Sequence, residues 1–130
     1  MIFLNLVMLG IYCSSPEKSV NSNASKTMIR YAALGDSYTI GEAVGEEERW
    51  PNLLVGHLRE AGVEIEIVAN PSATGWTTQD LIDKELPVYR ESDPHFATLL
   101  IGVNDWVQEF SKQRFRENLA YIMDEMLKEL

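Results

Sequence analysis

Three short stretches of the 130-residue chain carry residue types suited to acyl transfer: Gly35-Asp36-Ser37, Asn70 through Gly75, and Gly102-Val103-Asn104-Asp105. The first offers a serine hydroxyl, which attacks a carbonyl once a base takes its proton. The oxyanion that follows needs fixed donors. A glycine N–H approaches closely because no Cβ intervenes, and an asparagine amide donates without needing to be protonated. Losing one such donor typically costs about 3–4 kcal/mol of transition-state stabilisation. Nucleotide motifs are missing from the same stretches: there is no G-x-x-x-x-G-K-[ST], and no G-x-G-x-x-G follows the first apolar run. Nor does Ser37 sit in a G-x-S-x-G elbow, since Thr39 stands where the second glycine would be.

The elements around these stretches alternate in type. Ile29–Leu34 is a short apolar run that reads as a strand. Trp50–Ala61 places Leu53, Leu54, Leu58 and Ala61 at helical spacing, with Gly62 as a stop. Glu46, Glu47 and Glu48 crowd the start of that helix, where acidic groups are favoured, and read as solvated. Val63–Ala69 is a second strand. Thr77 caps a helix expected to reach about Leu86, with Pro87 beyond its end. Phe96–Ile101 is a third strand, apolar on both faces as expected of one covered by helices on each side. Lys112–Leu130 reads as an amphipathic helix burying Phe115, Leu119, Ile122, Met126 and Leu130, its methionines serving as core filler. Three βα units in series predict an α/β fold with a parallel sheet between two helical layers and right-handed crossovers. Loops after the carboxyl ends of the strands carry function in such sheets, so the three stretches should converge on one rim.

Composition bounds the rest. With 45% hydrophobic residues the chain can build a core, and a formal charge of −9 argues against nucleic acid as a partner. One cysteine allows neither an intrachain disulfide nor a multi-thiolate metal site. Residues 1–13 resemble the start of an exported lipoprotein: a short apolar run too brief to span a bilayer, then Cys13 as a lipidation site and membrane tether. The absence of Lys or Arg before the run and the bulk of Tyr12 count against this, and translation from Met28 would give a cytoplasmic protein instead. Residues 14–27, with five serines, read as a flexible linker, and residues 28–130 as the folded domain.

The three stretches together resemble the SGNH (GDSL) ester hydrolases. Ala33-Leu34-Gly35-Asp36-Ser37-Tyr38-Thr39 is similar to that family's first block, Gly75 in Asn70-Pro-Ser-Ala-Thr-Gly-Trp76 to the second, and Gly102-Val103-Asn104-Asp105 to the third. The resemblance covers Ile29 to Leu130. It implies a flavodoxin-like parallel sheet of order 2-1-3-4-5, with Ser37 as nucleophile and Ser37 N–H, Gly75 N–H and the Asn104 side chain as the oxyanion hole. It also implies a small-molecule or lipid ester as substrate, in the manner of an esterase, lipase or lysophospholipase, with no metal or organic cofactor. Asp36 and Asp105 read as loop caps through their carboxylates. Trp76 and Trp106 either line an acyl pocket or simply pack.

One departure stands out. The family's fourth block, D-x-x-H, is not found in the 130 residues. His95 precedes the third strand, at the amino end of the sheet. His57 lies two turns into a helix that runs away from the rim. Neither is placed to serve as the base. The sequence therefore reads as a C-terminally incomplete hydrolase, its N-terminal two-thirds. Such a piece should be nearly inactive, since removing a triad histidine can cost around 10⁶ in kcat. Its third strand would be an exposed apolar edge prone to aggregation or dimerisation, whereas a complete protein would be a monomer. The alternative is a non-catalytic, tethered module that binds an ester or sugar in the remnant pocket. A flavin or nucleotide binder, the third class, would have to carry its chromophore or phosphate.

Overall fold

The computed structural model describes residues 27–130. The segment 1–13 with Cys13, and all of 14–27 except Thr27, lie outside the described residues. Strand β1 (Ile29–Gly35) runs between β2 (Ile65–Ala69) and β3 (Phe96–Leu100) in a parallel sheet of order β2-β1-β3. Ile29 pairs with Ile65 on one side and Tyr31 with Phe96 on the other, with a register shift between Tyr31 and Ala32 along β2.

Strand β1 is buried on both faces because its alternate residues feed two separate cores. Tyr31 and Ala33 pack with Val55 and Ile65 under helix α2 (Trp50–Glu60). Ala32 and Leu34 pack with Leu81, Leu86, Tyr89, Ile122 and Met126, on the face covered by the other helices. Those are a continuous helical run and α6 (Lys112–Glu129). The run passes from α3 (Thr78–Asp80) through a π-helical stretch, Leu81–Glu85, into α4 (Leu86–Glu91). The expected three-layer α/β/α arrangement is therefore present. The Tyr89 hydroxyl donates to Met126 O at 2.9 Å, and Arg90 pairs with Glu125, tying α4 to α6.

Five expectations need correction. The helix after Thr77 does not stop before Pro87 but continues to Glu91. A proline inside a regular helix clashes with the carbonyl four residues back. Here the preceding stretch is widened, and Leu86 N–H reaches back five residues to Leu81 O. The second strand begins at Ile65, two residues later than Val63. The three glutamates form their own 3₁₀ turn, Glu46–Glu48, ahead of α2. Leu130, expected in the core, is exposed, as are Met123 and Leu127 on the same helix. The cause is the edge position of β3. On its α6 side, Ala97 and Leu99 line an open groove with Met123, Leu127 and Leu130; on its α2 side, Phe96 and Leu100 are exposed, so β3 is not covered on both faces among the described residues.

Candidate active site

The serine turn is built from the end of β1. Gly35, the last residue of the strand, is buried, and a Cβ there would lie 2.2 Å from Thr39 Oγ1 and 2.3 Å from the Leu100 carbonyl oxygen. Only glycine lets the chain turn this close to β3. Asp36 follows as N-cap of the short helix α1 (Ser37–Ile40), its carboxylate accepting from Tyr38 N–H at 3.0 Å. Capping keeps Asp36 buried and leaves Ser37, the first helical residue, partly exposed. Ser37 borders an open cleft walled by Tyr38, Val44 and Trp50, with Glu42 and Glu48 on its rim.

The other two stretches are locked together by helix α5 (Val103–Val107) and the residue after it. Asn104 Nδ2 donates to Trp76 O at 2.8 Å, and Gln108 Nε2 donates to Gly75 O at 3.1 Å. Asp105 is buried and accepts from Thr78 N–H at 2.8 Å and from the Thr78 hydroxyl, which also receives Asn118 Nδ2 at 3.0 Å. One side of α5 thus holds residues 75, 76 and 78 in fixed relation to Asn104. An amide nitrogen carries two protons, so the bond to Trp76 orients Asn104 and leaves a second N–H to donate. Gly75 adopts φ +80° with nothing within 4 Å of the place a Cβ would take. Glycine is therefore needed there for conformation, to turn the loop through a left-handed residue, rather than for close approach. Asp105→Ala should destabilise the fold by about 2–3 kcal/mol in urea unfolding, because it strands two buried donors of Thr78 at once.

The remaining expected residues fall out variously. Trp76 is half-buried, with Lys84 Nζ 5.0 Å from the centre of its ring. Trp106 is 80% exposed, so ordinary packing does not describe it; it borders a small depression with Phe110 and Phe115. His95 hydrogen-bonds Arg30 through its backbone at the amino end of β1, and His57 is an exposed residue 3.5 Å from Glu60 on α2. Neither belongs to the rim that carries Ser37.

Sequence reasoning missed Glu85. Its side chain is wholly buried behind the serine turn, and Oε2 accepts from Gly35 N–H at 3.0 Å. Burial pushes its carboxyl up to about 8; the Gly35 N–H works against this, while the nearby Asp36 and Asp80 carboxylates add to it. A signal was present in the spacing Leu81, Glu85, Tyr89, a single helical stripe with one carboxylate between two core residues.

Residues 33–130 match the model of the GDSL-like Lipase/Acylhydrolase family. An arylesterase from Vibrio mimicus is 28% identical over 99 residues, covering 76% of this chain and 49% of its own length. The crystal structure of AlinE4, an SGNH-hydrolase family esterase, superposes with a TM-score of 0.70 at 27% identity, over 78% of this chain and 55% of that one. A family 3 carbohydrate esterase from Clostridium thermocellum shares the fold, with a TM-score of 0.68 at 22% identity over 79% of this chain and 57% of its own. The chain thus spans about half the length of these relatives. The three motif stretches all lie within the matched residues, on the rim where the strands end, and the chain belongs to the GDSL-like lipase/acylhydrolase family.

Proposed function

We propose that this chain carries the nucleophile and oxyanion hole of a serine ester hydrolase. Ser37 Oγ attacks the ester carbonyl carbon, and the carbonyl oxygen takes the negative charge. The N–H groups of Ser37 and Gly75 and the free N–H of Asn104 Nδ2 receive that oxyanion. Collapse of the intermediate breaks the ester C–O bond, the departing alcohol takes up, by way of water, the proton that Ser37 Oγ gave up, and the acyl-Ser37 left behind is hydrolysed by water to the acid and free serine. The observation that carries this reading is the α5 clamp, in which Asn104 Nδ2 donates to Trp76 O and Gln108 Nε2 to Gly75 O. Such pre-set donors are what a developing oxyanion requires.

The same reading accounts for an unaided serine. With His57 and His95 away from the rim, Ser37 has no imidazole base within the chain, and turnover by these 130 residues is slow. Chemical rescue tests it. Imidazole added to the protein with a p-nitrophenyl ester should raise the rate above that of Ser37→Ala with the same imidazole, and a fluorophosphonate should add its mass to Ser37 alone. Equal rates for the two proteins, with no phosphonate adduct, would refute the nucleophile. An unreactive chain that nevertheless binds ester analogues at this rim would establish the tethered binding module instead.

A further inference from the structure

Glu85 is absorbed by none of the roles above, and its placement is unusual for a carboxylate. It lies in the π-helical stretch, fully buried, with Oε2 on Gly35 N–H and Oε1 without a hydrogen-bond partner among the described residues. Thr39 approaches the same glycine from α1; it is also fully buried, and its hydroxyl is likewise unpartnered. Gly35 is therefore gripped by a carboxyl on one side and a threonine on the other, two residues before Ser37.

We propose that Glu85 is a positioning residue for the nucleophile, its carboxyl setting the Gly35–Tyr38 turn through the Gly35 amide. The inference rests on Ser37 being the nucleophile. A protonated Glu85 accepts the Gly35 N–H as a neutral group. Ionised, it would draw that N–H more strongly and repel the Asp36 carboxylate, which holds Tyr38 N–H at 3.0 Å. Both changes act on the residues flanking Ser37. The charged groups facing Glu85 are Asp36 from the serine turn and Asp80 from α3, both acidic. Lys84, on the same stretch, pairs with Asp80, and α6 directs Asn118 to Thr78 and Arg114 to Gln79. Among the described residues no cation offsets the charge, and the neutral acid is the form that burial favours.

The test is carbon-detected NMR of the full 130-residue chain from pH 6 to 10, following the Glu85 carboxyl and the backbone of Gly35 through Tyr38. The expected result is one shared midpoint, near 8, for the carboxyl and the turn. In Glu85→Gln the turn should keep its low-pH positions throughout. The rate of fluorophosphonate labelling at Ser37 should change with the same midpoint in the native chain and lose that step in the variant. A turn that stays still while Glu85 titrates, or that moves identically in the variant, overturns the inference. Should the variant fail to fold, the native titration decides alone. Absent labelling with a turn that follows Glu85 would remove the hydrolase reading and leave the clamp standing.

Discussion

Glu85→Gln should make the protein more stable at pH 8 than the native chain, by several kcal/mol. The carboxyl is raised from 4.5 to about 8 in the fold, so the folded state keeps a proton that the unfolded chain releases. Stability from this group is complete below about pH 4.5 and is lost as pH rises toward 8, because over that interval the unfolded state binds fewer protons. At about 1.4 kcal/mol per pH unit, the interval is worth roughly 5 kcal/mol. Glutamine has the shape of the neutral acid and can still accept the Gly35 N–H, but it does not ionise. Paired urea titrations at pH 5, 6.5 and 8 check this. The two proteins should lie within about 1 kcal/mol at pH 5, and the gap should widen steadily above it. A gap independent of pH would mean that Glu85 is ionised in the fold throughout.

Gly35→Ala should be among the most damaging single-methyl additions in the domain, costing about 4 kcal/mol from overpacking and backbone strain together. One of the two nearest atoms that its Cβ would meet is the Leu100 carbonyl oxygen, at 2.3 Å, part of the β3 backbone paired with β1. Backbone on an adjacent strand cannot rotate aside. The comparison with Gly102 and Gly75 makes the prediction specific. At Gly102 the nearest atom is 2.7 Å away but belongs to the Phe115 ring, a side chain that can yield. At Gly75 nothing stands within 4 Å, leaving only the strain of φ +80°. Thermal unfolding of the three alanine variants should therefore rank Gly35 as most destabilised and Gly75 as least, the latter losing about 1–2 kcal/mol. An unperturbed Gly35→Ala would contradict the close approach of β1 to the end of β3.

The strands and the rim were legible in the sequence for a simple reason. Tyr31 through Leu34 are apolar at every position, as suits a strand with helices on both faces, and each motif directly follows a segment that reads as a strand. The candidate donors were legible by residue type, since serine, glycine and asparagine at those places suit the same charge. What stayed hidden was tertiary. That Asn104, Asp105 and Gln108 all turn toward the Gly75 loop depends on the crossing of α5 with a segment about 30 residues earlier, which no periodicity encodes. Glu85 stayed hidden because one charged residue in a stripe looks like a helix edge until the helix is seen to widen there. The exposure of Leu130 went unread because a periodic apolar stripe records only a face that can be buried, not whether a neighbour meets it.

The widened stretch Leu81–Glu85 has a consequence for how the helix can change. Leu81, Glu85, Leu86 and Tyr89 are all fully buried, and the widened stretch holds one residue more than a regular α-helical turn would. The extra residue in the turn acts as a phase break. Leu81 at its start and Leu86 and Tyr89 beyond its end pack into one core with α6 and the sheet, while Glu85, at its end, reaches the Gly35 amide. A single-residue deletion at Asp83 or Lys84, both exposed, would convert the stretch to ordinary α-helix with its flanks still in phase, whereas regularising it with every residue kept would rotate one half against the other by about 100°. The widened turn is thus what lets both flanks of the helix face one core with one more residue between them than a regular helix would hold.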